Sequence, residues 1–81
     1  MNIEKMQLKG QLAEARKKYK SFDTEASGLV ILIRSLLNPY EEDITKLEVE
    51  KAVHSMTRLN SIVFQMQALK SKIQRMEEAL E

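Results

Sequence analysis

Cysteine is missing from this sequence, and the single histidine, His54, has no second imidazole to work with. Disulfides, thiolate metal sites and histidine clusters are excluded together, so no cofactor or metal is expected. A chain without cysteine suits a reducing compartment, and we expect a cytoplasmic protein. Tryptophan is also missing, and two glycines, one proline and four aromatics among 81 residues are too few for a turn-rich sheet protein. Long helices fit that composition. No apolar run approaches the roughly 20 residues of a bilayer span, since Leu29 to Ile33 is broken by Arg34. Acidic and polar residues occupy the positions where a cleaved leader would carry its apolar core. Neither a membrane span nor a signal peptide is expected.

Charge of one sign is lacking as well: 13 Lys and Arg balance 12 Asp and Glu. Bulk electrostatics therefore point to neither nucleic acid nor a lipid surface. The local distribution is less even, with six basic residues against two acids in positions 1 to 20, and five acids against one Lys in 41 to 50.

What is present is organised around Leu29 to Asp43, the densest apolar stretch followed at once by the only proline. Asn38 is a helix-capping residue, Pro39 suits a first helical position, and Glu41 stands where a capping-box carboxylate belongs. Pro39 also excludes Asn38 from the helical region. The expectation is one domain over 1–81: a first helix over about 3–37, a turn at 38–40, and a second helix over about 40–80.

Leu8, Leu12, Ala15, Tyr19, Phe22, Ala26, Leu29, Ile33 and Leu36 alternate steps of four and three, the seam of a coiled coil. The seam crosses Ser21, Asp23, Thr24, Ser27 and Gly28, which predicts one continuous helix despite those loop-prone residues. In the second arm Val49, Ala52, Met56 and Leu59 form one seam, and Ile62, Met66, Leu69, Ile73, Met76 and Leu80 form another. Two successive steps of three join them, a stammer. Asn60 falls at its edge, either partly solvated or as a register-fixing amide.

The predicted fold is all-α: a long antiparallel hairpin of coiled-coil type, dimerising into a four-helix bundle. With a tight turn, residues whose numbers sum to about 78 oppose one another, which sets Ile31 level with Leu47. Ile31, Leu32, Leu47 and Phe64 project away from the seams, while Ile62 and Met66 belong to a widened face. These six are the candidate interface. Covering such side chains is worth roughly 1.5 to 3 kcal/mol each, a large share of the stability available to a chain this short. The predicted partner is a second copy, with a larger protein as the other occupant. The acidic stretch 41 to 50 favours an antiparallel arrangement, near Lys5, Lys9, Lys70, Lys72 and Arg75 of the other hairpin.

Other residue groups have simpler readings. Arg16, Lys17, Lys18 and Lys20 surround Tyr19 and are the candidate nucleic-acid contacts, but helical spacing spreads them into a collar rather than a stripe. His54 reads as exposed. Glu41, Glu42 and Asp43 read as dipole-stabilising residues of a first helical turn rather than a cation site. Met56, Met66 and Met76 read as adaptable packing. No nucleophile stands beside a base and no glycine-rich phosphate loop occurs, so no enzyme is expected. The sequence points to a structural or interaction module of bacterial or phage type: an adaptor, a small chaperone or an inhibitor of a protein partner. The alternative is a dimeric helical bundle that binds RNA or DNA.

Overall fold

The structure, a computed structural model, describes residues 2–81. Two helices, α1 (Ile3–Leu36) and α2 (Val49–Leu80), fold back on each other into a rod of 66 × 15 × 14 Å. No strand occurs among the described residues. Met1, one of the five methionines, lies outside them.

Asn2 starts α1, its side-chain oxygen accepting the Lys5 amide at 3.1 Å. The helix runs unbroken through Ser21 to Gly28, and its half-buried and buried positions are the nine seam residues and no others. Thr24 stays helical by donating its hydroxyl to the Lys20 carbonyl at 3.1 Å. At the far end the Leu37 amide bonds the Ile33 carbonyl at 2.9 Å, and the backbone of Leu37 leaves helical geometry. The approach of Pro39 accounts for that stop.

The turn expected at 38–40 is instead a connector of about a dozen residues, and α2 begins at Val49 rather than near residue 40. The reason is local. Asn38 does not cap a helix; its side chain accepts the Tyr40 amide at 3.0 Å, two residues on, and its carbonyl accepts Glu41 N–H at 3.2 Å. Glu41 then accepts the Asp43 amide, and Asp43 accepts both the amide and the hydroxyl of Thr45 at 3.1 and 2.6 Å. Short polar side chains satisfy one backbone donor after another, so this segment forms turns and a 3₁₀ turn at Ile44–Lys46 in place of an α-helix. Glu41, Glu42 and Asp43 are consequently connector residues and not the first turn of α2.

A longer connector moves the register. Leu12, Ala15 and Met76 form a buried cluster with Leu8, Leu69, Ile73 and Leu80 packed on it. Each α1 residue thus meets a partner roughly ten positions further along α2 than a tight turn would supply. The stammer also disappears. On α2 the seam positions are Ala52, Ser55, Leu59, Ile62, Met66, Leu69, Ile73, Met76 and Leu80, an unbroken alternation of three and four, with Gln65 half-buried beside Met66. Ser55 occupies the seam, whereas Val49 and Met56 are exposed. The two helices therefore contribute seams of equal length, layer against layer.

Candidate interaction face

Once both seams are fixed, helical phase assigns every other residue to a side of the rod. On α2, Val49, Val53, Met56, Asn60 and Val63 follow one another at steps of four and three, one stripe beside the seam. Val30 flanks the α1 seam on the same side: Val30, Ala26 and Tyr19 line one open groove together with Leu59, Val63 and Met66. Val30, Val49, Val53, Met56 and Val63 are all exposed, with Val53 at 58% and Met56 at 53%. The connector half of this face is thus mainly aliphatic, interrupted by Ser27 and Asn60 and edged by Arg34, which follows Val30 by one turn near the end of α1.

Toward the open end the same side becomes charged. Asp23 and Lys70 line the groove, and next to it Arg16 lies 3.5 Å from Glu77, with Tyr19 and Ile73 beneath. The opposite side of the rod is polar for most of its length. There Arg58 of α2 holds Glu25 of α1 through two hydrogen bonds. The hairpin as a whole is amphipathic, with one half-aliphatic face and one hydrophilic face.

The six candidate interface residues do not form one patch. Ile62 is 0% exposed and belongs to the core of the hairpin itself, because the longer connector brings α1 across it; it is removed from the interface. Met66 is half-buried in the groove. Leu47 is half-buried in the connector, its amide bonded to the Ile44 carbonyl, and no longer lies along α2. Ile31 at 70% and Phe64 at 73% are exposed, but they sit on the outer edges of opposite helices, and Leu32 flanks the hydrophilic side. What the sequence reading missed is the stripe beside the true α2 seam. Its spacing was visible, but choosing Met56 over its neighbour Ser55 placed half of that stripe in the core.

The basic collar lies as spaced. Tyr19 turns inward and Arg16, Lys17, Lys18 and Lys20 are exposed, with Arg16 paired to Glu77 and the Lys18 ammonium 5.8 Å from the centre of the Phe22 ring. His54 and Asn60 are exposed, so Asn60 is not a buried register-fixing amide. At the connector tip Tyr40 and Ile44 are exposed.

Electrostatic perturbations occur at three exposed contacts. The Arg58 guanidinium, by hydrogen bond and then by charge, holds the Glu25 carboxyl below its ordinary value, and Glu25 raises Arg58 in return. Hydrogen bonds from Thr45 lower Asp43, and Glu48, 2.8 Å from Lys51, raises that ammonium. No group of three or more His, Asp or Glu placed to hold a metal ion occurs among the described residues, and no described helix is long and apolar enough to cross a membrane. No family model, curated protein or solved structure matches the chain.

Proposed function

We propose that this chain is a non-enzymatic interaction module, a helical hairpin that self-associates and serves a protein partner as an adaptor, small chaperone or inhibitor. The observation that carries this reading is the aliphatic half-face of Val30, Val49, Val53, Met56 and Val63, five exposed branched or flexible apolar side chains on one side of the rod. The size of the surface supports it. The hairpin exposes 6758 Å², against about 5,000 Å² for a compact chain of its mass. Its radius of gyration is 18.4 Å, where a compact chain of this length has about 12 Å. Burying part of that excess against another helical surface is the route to stability open to a chain with no disulfide.

Light scattering across a dilution series tests the reading: a mass of two or more chains is expected, falling to one when Val53→Glu and Met56→Glu are combined. A monomeric mass at every concentration, with the helix content intact, would refute self-association. Retention of labelled RNA or DNA at low salt, lost steeply as salt rises, would replace the protein-directed role with a nucleic-acid one.

A further inference from the structure

Resting on the self-association just proposed, we infer that the aliphatic half-face is covered by a second copy of this chain lying parallel, connector beside connector, with α1 of each hairpin against α2 of the other. Three arrangements bring two such faces together, and area and chemistry separate them.

An antiparallel pair overlapping only at the connector halves matches aliphatic to aliphatic. Half of a 66 × 15 Å face, however, supplies only ~500 Å² per chain, so the pair buries less than the roughly 1,200 Å² at which stable interfaces begin. An antiparallel pair overlapping along its whole length buries enough. It also sets Val53 and Met56 against Arg16, Lys70 and Glu77 of the other copy, so that charges lose water to aliphatic neighbours. The parallel pair buries ~1,000 Å² per chain and avoids that mismatch. A two-fold axis along the rod puts α1 of one copy against α2 of the other at equal height. Val30 then meets the stripe containing Met56 and Val63 of the second copy. Asp23 comes level with Lys70 of the second copy and Arg16 with Glu77 of the second copy, opposite signs in both cases, since each pair already shares a level within one hairpin.

Of the acidic stretch 41 to 50, Glu48 is paired with Lys51 and Glu50 lies in the first turn of α2, which leaves Glu41, Glu42 and Asp43 to argue for the antiparallel form. All three belong to the connector and are exposed, and Glu41 and Asp43 are already engaged with local backbone donors. In the parallel pair two such connectors stand at one end in solvent, where salt screens them.

The chain has no native cysteine, so single-cysteine variants report orientation cleanly. Lys9→Cys near the open end, Met56→Cys in the connector half, and Lys72→Cys on the hydrophilic side are each treated, in the full-length protein, with a bis-maleimide that reaches across the diagonal between like helices, a gap too wide for a direct disulfide. The parallel pair requires that Lys9→Cys and Met56→Cys both give a crosslinked dimer and that Lys72→Cys gives none. A dimer by light scattering in which Lys9→Cys fails to crosslink, or in which a Lys9→Cys, Met56→Cys double variant links position 9 to position 56, overturns the orientation and leaves self-association standing. Crosslinking at Lys72→Cys alone overturns the choice of face. A monomer by light scattering overturns the reading beneath both.

Discussion

Arg58 on α2 and Glu25 on α1 form a two-point contact, the guanidinium Nε donating to one carboxylate oxygen at 2.6 Å and an Nη to the other at 3.0 Å. Both residues flank their seams on the hydrophilic side, so the pair reports the register between the helices directly. It holds only if Ile62, four residues beyond Arg58, faces Ala26, next to Glu25.

The titration of Glu25 tests that register. Its carboxyl is held low by Arg58, so the folded form binds its proton less readily than the unfolded form. The contribution to stability is complete at neutral pH and is lost as pH falls through and below the usual carboxylate range, about 4. Carboxyl NMR of the wild type should place Glu25 below the ordinary glutamate value, and Arg58→Ala should raise it. An unchanged Glu25 titration in that variant would mean the contact does not exist in solution.

Neighbouring Ser55 and Met56 should respond oppositely to charge. Ser55 is half-buried in the seam between Ala52 and Leu59, while Met56 is exposed on the aliphatic face. Ser55→Asp forces a carboxylate between the two helices and should lower the unfolding free energy by about 2 kcal/mol or more. Met56→Asp should leave the dilute hairpin within about 0.5 kcal/mol and act on association instead. Urea unfolding at low protein concentration separates the two. Equal costs would restore the stammered seam.

Ile62 and Phe64 make a similar contrast between core and edge. Ile62→Ala opens a cavity at a position with no exposure and should cost about 2 to 5 kcal/mol. Phe64→Ala removes a larger side chain that is 73% exposed and should change dilute stability by no more than about 0.5 kcal/mol. Thermal unfolding followed by circular dichroism measures both. A large loss at Phe64 would mean that this ring is covered in the native assembly.

The connector makes its own prediction. Asp43 is held low by the Thr45 hydroxyl and amide, and that local bond is one reason the chain turns instead of continuing as helix. Asp43→Ala should speed hydrogen exchange at the Thr45 amide while leaving exchange at Ile62 unchanged. Protection lost equally at both sites would show that the connector governs the whole hairpin.

The sequence alone determined two long helices folded back on each other, because two stripes of three-and-four alternation flank the only proline, where the chain must leave the first helix and can lay one stripe against the other. It also determined the continuity of α1 through Ser21 to Gly28, since nine seam residues kept step across that stretch and outweighed the weak helix propensity of four or five. Tertiary structure alone decided where α2 starts, which of Ser55 and Met56 faces inward, and so which side chains remain outside. Capping residues such as Asn38 and Asp43 serve a helix start or a turn equally well, and the choice between them depends on which backbone donors the packed chain leaves unsatisfied. Register between the helices follows from connector length, and a shift of a few residues there exchanges core for surface at every later position.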